Sequence, residues 1–271
     1  MKSAFIVAIV GRDCAGRQPR LLAGSRLPFP PRRLVSMSNS LSTDELAALT
    51  AFDTPTICNA LEIVAPERRA FGFNRRPLLS PLPQAKPIVG YARTVMIRSR
   101  EPSPRNKADA RATRLAYYES IGAAPRPSIC VMQDVDGPDI GFGAFWGEVQ
   151  SNVHKALGCI GVVTDGAVRD IDAWAKDFFV LAGTVMPSHA YVDIADFGKT
   201  VSVAGMIVSP NDLIHADRHG AVVIPLDVAR KIPDAANLLA KREKVILDAC
   251  KSPHFGIEDL RQAFSRADDI H

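Results

Sequence analysis

Short apolar runs alternate with segments of helical period along most of this 271-residue chain. Residues 88–97, 128–134 and 160–164 have the length and the apolar, β-branched composition of buried strands. Segments that predict helices, residues 106–120 and 148–157, lie between them. Alternation of strands and helices is typical of an α/β domain, so we predict a single domain with a central sheet.

The amino-terminal end of the folded region is marked by a capping box. Ser42-Thr43-Asp44-Glu45 has the form in which the first and last side chains each bond the other's backbone, and it predicts a short helix. A second helix is predicted over residues 56–64, followed by an irregular connection. The remaining predicted elements are a short helix near residues 170–175, strands at residues 178–182, 200–208, 212–217 and 220–225, and helices over residues 226–267 with a break at Ser252-Pro253.

The net charge of +4 is concentrated at the amino terminus. Residues 1–36 contribute +6, so residues 37–271 carry −2. A nucleic-acid-binding domain is expected to carry clustered positive charge on its folded part, and this chain does not, which argues against nucleic acid. Residues 1–40 are predicted to be a disordered tail or an over-extension upstream of Met37, with an organelle transit peptide or a poor secretory signal as alternatives. The domain is predicted to span residues 41–271.

Neither a disulfide framework nor a membrane span is indicated. The longest apolar run is far shorter than the ~20 residues of a spanning helix. Dispersed cysteines with no Cys-x-x-Cys pair argue for free thiols in a reducing compartment. We therefore predict a cytoplasmic protein that binds no membrane. The cysteines are Cys14, Cys58, Cys130, Cys159 and Cys250.

The first of two polar clusters opens the helix predicted at residues 148–157. Its sequence is Gly147-Glu148-Val149-Gln150. The start of a helix presents unpaired backbone N–H groups and the positive end of the helix dipole. Such an end can bind a carboxylate or a phosphate. Taken alone, the same sequence also fits a tight turn after a strand.

The second polar cluster, residues 165–170, directly follows the strand predicted at residues 160–164. In open α/β folds, ligands bind at the carboxyl ends of strands. Arg169 offers fixed donors for a carbonyl or a carboxylate, and Asp170 is a hard oxygen ligand suited to Mg²⁺ or Mn²⁺. A surface ion pair, or Asp170 as the cap of the next helix, is the alternative. A strand–helix–strand unit can bring both clusters to one edge of the sheet.

These motifs resemble those of a known family. The GEV of residues 147–149 and the GVVTDGAVRD of residues 161–170 resemble the signature of the 4-hydroxy-4-methyl-2-oxoglutarate aldolase family, also named for the regulator of ribonuclease activity A. Residues 210–213 (PNDL) and 216–225 (ADRHGAVVIP) are similar to a second segment of that family. The resemblance covers roughly residues 45–245. It implies a swivelling βαβ fold that assembles as a homotrimer or a hexamer.

The resemblance also implies a chemistry. Residues 147–150 would grip a substrate carboxylate through backbone N–H groups, Arg169 would lie beside the 2-oxo oxygen, and Asp170 would bind Mg²⁺ or Mn²⁺. Glu148 would act as acid or base on a water at the metal. The implied enzyme is a lyase for a small 2-oxo acid substrate. It would cleave 4-hydroxy-4-methyl-2-oxoglutarate-like aldols or decarboxylate oxaloacetate, in both cases through a pyruvate enolate.

The segment at residues 186–199 departs from the family, many members of which have a glycine-rich loop there. His189 in this segment is predicted to contact the substrate, with a structural loop histidine as the alternative. In the family's aldolases, an acid from a neighbouring subunit's carboxyl-terminal helix completes the site. Glu243 is the candidate here, with Asp248 or Glu258 as alternatives.

Other functions on the same kind of fold must be weighed. One is a non-catalytic, protein-binding regulator, which in the family resembled lacks the aspartate after the arginine. This chain has Asp170, and also Glu148, which favours the enzyme. A methyltransferase and a dinucleotide enzyme are excluded because residues 88–140 contain no early glycine-rich loop after a strand.

Overall fold

The computed structural model of the protein describes residues 40–82 and 85–271. The tail predicted for residues 1–40 lies outside the described residues except for Ser40, so its boundary stays a prediction. The helices are α1 (Thr43–Thr50), α2 (Thr54–Val64), α3 (Lys107–Gly122), α4 (Glu148–Ala156), α5 (Ile232–Ala249) and α6 (Ile257–Asp268). The strands are β1 (Ile88–Arg98), β2 (Ser128–Asp134), β3 (Ala144–Trp146), β4 (Cys159–Thr164), β5 (Ala167–Val168), β6 (Phe179–Leu181), β7 (Thr184–Val185), β8 (Asp193–Phe197), β9 (Val201–Val203), β10 (Met206–Val208), β11 (Leu213–Asp217) and β12 (Gly220–Ile224).

Strand β1 is the centre of the main sheet, whose order is β12-β11-β1-β2-β4-β6. Strands β1, β2, β4 and β6 are parallel. Because β1 is 11 residues long, its first half pairs antiparallel with β11 and its last residues pair antiparallel with β8. The parallel strands are almost wholly buried, as their continuous apolar sequences require, and their carboxyl ends meet at one edge of the sheet.

Alternate residues of β2 pack into two different cores. Cys130 and Met132 join the cluster that contains Tyr117 of α3, against which His154 of α4 packs, whereas Ile129 and Val131 join the cluster of the β9–β10 hairpin. Since successive strand residues point to opposite faces, helices α3 and α4 cover one face of the sheet and the hairpin covers the other. A third cluster packs α1, α2 and α5 against β1, β11 and β12.

Local sequence signals explain where the first helices begin. The Glu45 backbone N–H donates to Ser42 Oγ at 3.2 Å, and the Ser42 N–H donates to Glu45 Oε2 at 2.7 Å, so the predicted capping box is confirmed. Helix α2 begins two residues before the predicted start. The reason is that Asp53 caps it, accepting from Thr56 N at 2.9 Å, and Pro55 is tolerated in a first turn.

Some sequence expectations were wrong in detail. Residues 200–208 form the β9–β10 hairpin rather than one strand, because Ala204 (φ 48°) and Gly205 (φ 86°) turn the chain. The short helix expected near residues 170–175 is one 3-10 turn, Ile171–Ala173. The predicted break at Ser252-Pro253 is confirmed, since α5 ends before it and α6 begins after it.

The structure also bears on the predictions about membrane spans and cysteines. Every helix within residues 40–82 and 85–271 is too short or too polar to cross a bilayer. Cys58, Cys130, Cys159 and Cys250 are free thiols, as predicted, while Cys14 lies outside the described residues.

Candidate active site

A second, smaller sheet joins the two polar clusters. Strands β3, β5 and β7 lie parallel in it, with β5 in the middle. Trp146 of β3 pairs with Val168 of β5, and the Arg169 backbone N–H donates to the Trp146 carbonyl at 2.9 Å. Strand β3 ends directly before Gly147, and β5 ends directly before Arg169 and Asp170. The pairing therefore places Gly147, where α4 opens, beside Asp170.

The approach of Gly147 to Asp170 leaves no room for a side chain. A Cβ at Gly147 would lie 2.5 Å from Asp170 Oδ2, so any larger residue would displace that carboxylate. The same oxygen lies 3.4 Å from the Glu148 backbone N and 3.5 Å from Arg169 Nε. The positive end of α4 and a guanidinium thus face one carboxylate.

Asp170 itself adopts an uncommon backbone conformation. Its φ and ψ are 52° and 42°, the left-handed region, which disfavours most residues other than glycine. Strained conformations of this kind occur frequently at functional positions. The side chains of Arg169 and Asp170 are each 37% exposed, so water screens their ion pair and both can reach a ligand.

A pocket of about 380 Å³ opens at this junction. It contains most of the predicted site residues, namely Gly147, Val149, Gln150, Arg169, Asp170 and His189. Glu148 is not among the described residues that line it, although its backbone N–H faces Asp170 and its side chain is exposed beside the opening. The other residues that line the pocket are Pro102, Ser103, Arg114, Ala144, Phe145, Ala190, Tyr191 and Val192.

A buried histidine fixes the helix that opens into the pocket. His154 Nδ1 lies 2.7 Å from the Gln150 carbonyl and donates to it, so Nε2 accepts from the Tyr117 hydroxyl at 2.7 Å. Burial lowers the pKa of His154 to about 4, so the ring is neutral. Tyr118 also donates to Gln150 Oε1 at 2.9 Å. These bonds hold α4 against α3, and sequence reasoning missed them.

His189 lies on the loop between β7 and β8. Its Nδ1 donates to the Ala190 carbonyl at 2.7 Å, which leaves Nε2 without a partner among the described residues. The Ser188 carbonyl accepts from Ala144 N at 2.9 Å and so fastens the loop to β3. His189 is therefore exposed at the pocket with one ring nitrogen available to a ligand.

Comparison with known proteins identifies the family. A family profile described as RraA-like, Aldolase/RraA, matches residues 54–223. The chain belongs to the RraA-like family. The matched range contains the lining residues of the pocket and every strand given above except for the last residue of β12, so the resemblance noted from the sequence is confirmed.

Individual relatives of this RraA-like chain agree with the family. It is 30% identical over 190 residues to a provisionally named 4-hydroxy-4-methyl-2-oxoglutarate aldolase of Halalkalibacterium halodurans, an alignment of 68% of this chain and 80% of that one. An uncharacterized protein from Pseudomonas syringae pv. tomato has 22% identity, with a TM-score of 0.59 over 82% of this chain and 98% of its own. Streptomyces coelicolor RraAS2, described as an unusual member of the RNase ES inhibitor RraA family, has 22% identity, with a TM-score of 0.59 over 75% and 96%. The predicted α/β fold of the family is thereby confirmed.

Two buried acids of the RraA-like domain, Asp134 and Asp165, lie at the carboxyl ends of β2 and β4. Asp165 Oδ1 accepts from Asp134 N at 2.9 Å, and its Oδ2 accepts from Ala204 N at 3.0 Å. Asp134 accepts from Asp136 N at 3.0 Å and from Gly141 N at 2.8 Å. Burial raises the pKa of both acids, that of Asp134 to about 6. This buried acid pair holds the β9–β10 hairpin and the loop at residues 136–141, which follows β2, to the sheet.

The Asp170 carboxylate, which lines the pocket, suits a hard divalent cation. Among the described residues, no group of three or more His, Cys, Asp or Glu side chains is arranged to hold a metal ion. Zinc takes three or four protein ligands, whereas Mg²⁺ keeps several waters and needs only one or two carboxylates. The half-exposed Asp170 carboxylate therefore fits Mg²⁺ or Mn²⁺ and does not fit zinc.

The candidate carboxyl-terminal acids differ in their surroundings. Asp248 pairs with Lys244 and with Lys251, which holds its pKa down to about 2. Glu258 lies 3.1 Å from an arginine on the same helix. Glu243 is exposed on α5 and has no ion-pair partner in the described part of the chain. Of the three, Glu243 is the one with a free carboxylate.

Proposed function

We propose that this RraA-like protein is a divalent-metal-dependent lyase for small 2-oxo acids. It would cleave or form the carbon–carbon bond of 4-hydroxy-4-methyl-2-oxoglutarate-like aldols and decarboxylate oxaloacetate. The observation that carries the proposal is the junction of Gly147, Arg169 and Asp170. There a helix start, a guanidinium and an open carboxylate converge in one pocket.

The start of α4 offers a place for the substrate carboxylate. The first hydrogen bond of the helix runs from Ser151 N to the Gly147 carbonyl at 3.0 Å. The N–H groups of Val149 and Gln150 precede it, so they can donate to an anion in the pocket. Binding there would fix the orientation of the 2-oxo group toward Arg169.

Arg169 would stabilise the charge that develops during bond cleavage. When the C3–C4 bond of the aldol breaks, its electron pair enters the C2–C3 bond and negative charge builds on the C2 oxygen. A guanidinium held at that oxygen favours the transition state over the ground state. A Mg²⁺ or Mn²⁺ ion held by Asp170 would supply Lewis-acid stabilisation of the same enolate.

Glu148 is the candidate for proton transfer. Its side chain is exposed in the first turn of α4, and its backbone N lies 3.4 Å from Asp170 Oδ2. Acting directly or through one water, it would take the proton of the 4-hydroxyl group and return a proton to C3, which yields pyruvate. His189 Nε2 would contact the substrate from the loop side.

The proposed function also includes an assembly of several subunits. The homotrimer or hexamer is proposed as the assembly, in which Glu243 of one subunit would face the pocket of another.

A non-catalytic, protein-binding regulator remains the second candidate, since one structural neighbour is described as a member of an RNase inhibitor family. The open Asp170 carboxylate favours the enzyme.

The test is pyruvate release by the full-length chain after treatment with a chelator. Oxaloacetate and 4-hydroxy-4-methyl-2-oxoglutarate are each supplied with and without Mg²⁺ or Mn²⁺, beside Asp170→Ala and the matched control Asp172→Ala. Asp172 is an exposed acid on the turn that follows. We expect metal-restored turnover that is lost only in Asp170→Ala. Absence of pyruvate with either metal would overturn the lyase and favour the regulator.

A further inference from the structure

One cation of the pocket belongs to neither polar cluster. Arg114 lines the pocket from α3, far from Arg169 in sequence. Within the described part of the chain, its guanidinium makes no hydrogen bond and no ion pair. An arginine with five donors beside a concave site, and no internal acceptor, is available to a ligand.

The sequence of α3 explains why Arg114 has no partner. Side chains three and four residues apart are neighbours on a helix, and for Arg114 these are Ala110, Arg111, Tyr117 and Tyr118. None of them is acidic. Arg111 adds a like charge, which favours a position of the Arg114 side chain away from the helix surface and over the pocket.

Arg114 and Arg169 reach the pocket from different elements of the fold. Tyr118, one helical turn after Arg114, donates to Gln150 Oε1 in the first turns of α4. Arg114 thus lines the pocket from α3, which packs beside Gln150, whereas Arg169 lines it from the end of β5, beside Gly147. A ligand whose one end is at Arg169 can extend along the pocket toward Arg114.

The charge of the pocket favours a ligand with two anionic groups. Its ionised lining consists of Arg114 and Arg169 against Asp170. A monoanion at Arg169 would leave the Arg114 end without a counter-charge. Arginine binds carboxylates in a bidentate manner, which adds geometric specificity to the charge.

We propose that Arg114 is the specificity-determining residue that binds the distal carboxylate of a dicarboxylic 2-oxo acid. The assignment rests on the proposed function for the orientation of the 2-oxo end. Substrates in which a methyl group replaces the distal carboxylate would bind at the Arg169 end and leave Arg114 unpaired.

The test uses a matched pair of ligands that cannot undergo aldol cleavage. 2-Oxoglutarate and 2-oxopentanoate have the same chain length and differ by a carboxylate in place of a methyl group, and neither has a 4-hydroxyl group. Their binding to the full-length protein is measured by calorimetry with Mg²⁺ present. The variants are Arg114→Met, Arg114→Lys and the control Arg111→Met, an exposed arginine one turn earlier that does not line the pocket.

We expect Arg114→Met to weaken 2-oxoglutarate binding about ten- to a hundredfold, the range of a lost hydrogen-bonded charge contact. Binding of 2-oxopentanoate should change less than about twofold, and Arg111→Met should change neither ligand. Arg114→Lys should restore part of the affinity. Equal losses for both ligands, an equal effect of Arg111→Met, or no wild-type preference for the dicarboxylate would overturn the assignment. Absence of pyruvate release with this discrimination intact would instead overturn the proposed lyase alone.

Discussion

Two aspartates close together in sequence end up in opposite situations. The Asp165 side chain is 6% exposed, and both of its oxygens accept backbone N–H groups. The Asp170 side chain is 37% exposed, and its closest contacts are a backbone N at 3.4 Å and a guanidinium at 3.5 Å. The Asp165 oxygens accept hydrogen bonds from the fold, whereas the Asp170 oxygens can still accept hydrogen bonds from a ligand or bind a cation.

The difference separates an acid that the fold uses from the proposed metal ligand, and both roles can be measured. Asp165 joins β2, β4 and the β9–β10 hairpin, so its loss should be felt in the stability of the domain. The Asp170 side chain is partly exposed, and a Cβ at Gly147 would lie 2.5 Å from its carboxylate. Replacement of Asp170 should weaken the binding of ligand and metal. The predictions below test this division.

The largest expected effect is on activity. Arg169→Met should lower kcat/KM for pyruvate release about a thousandfold, because a donor aimed at developing charge is lost. The free energy of unfolding should change by less than about 0.5 kcal/mol, since the side chain is partly exposed. Steady-state kinetics and urea denaturation measure the two quantities, with Arg111→Met as the control. A loss smaller than about tenfold would show that Arg169 does not act on the reacting oxygen.

The next effect is on stability. Asp165→Ala should lower the free energy of unfolding by about 4 kcal/mol, because two buried N–H groups, of Asp134 and Ala204, lose their acceptors. Asp170→Ala should lower it by less than about 0.5 kcal/mol. Urea denaturation of both variants beside the wild type gives the comparison. Similar values for the two variants would remove the distinction drawn between these acids.

A third effect depends on pH. The pKa of His154 is about 4 in the fold, against an ordinary value of 6.5, so the unfolded chain takes up this proton at a higher pH than the folded one. The contribution is fully present above pH 6.5 and is lost as the pH falls toward 4, by about 3 kcal/mol. Urea denaturation across this window should show a flatter profile for His154→Gln than for the wild type. Parallel profiles would mean that the ring is not held neutral between Gln150 and Tyr117.

The smallest effect concerns the glycine beside Asp170. Gly147→Ala should lower kcat/KM about ten- to a hundredfold by displacing the carboxylate, since small misplacements at a site are costly. Gly122→Ala is the control, because its added carbon would meet no atom closer than 3.7 Å. Comparable kinetics for the two variants would show that the position of Asp170 tolerates the added methyl group.

Much of the fold could be predicted from the sequence because its signals are local. The capping box at Ser42, the apolar run of β2 and the Ser252-Pro253 break each act within a few residues. Strands β3, β5 and β7 were missed because two or three residues carry no periodicity. They exist only because they pair with each other.

The part of the candidate site that lies on two short stretches of sequence could be predicted. Gly147 opens a predicted helix, and Arg169 and Asp170 come soon after the predicted strand at residues 160–164, so a strand–helix–strand unit was expected to bring them together. In the structure, the missed strands β3 and β5 make that approach. Arg114 and His154 could not be found in this way, because their contacts depend on how α3 packs against α4. A histidine four residues after Gln150 in a helix was the one available signal, and it fits a surface position equally well.

The most direct test of the account is whether Asp170 holds a divalent ion. Binding of Mn²⁺ to the full-length protein can be followed by electron paramagnetic resonance in the wild type, Asp170→Ala and Asp172→Ala. The account predicts saturable binding that Asp170→Ala weakens at least about tenfold, while Asp172→Ala leaves it unchanged. Equal Mn²⁺ affinity in the wild type and Asp170→Ala would contradict it.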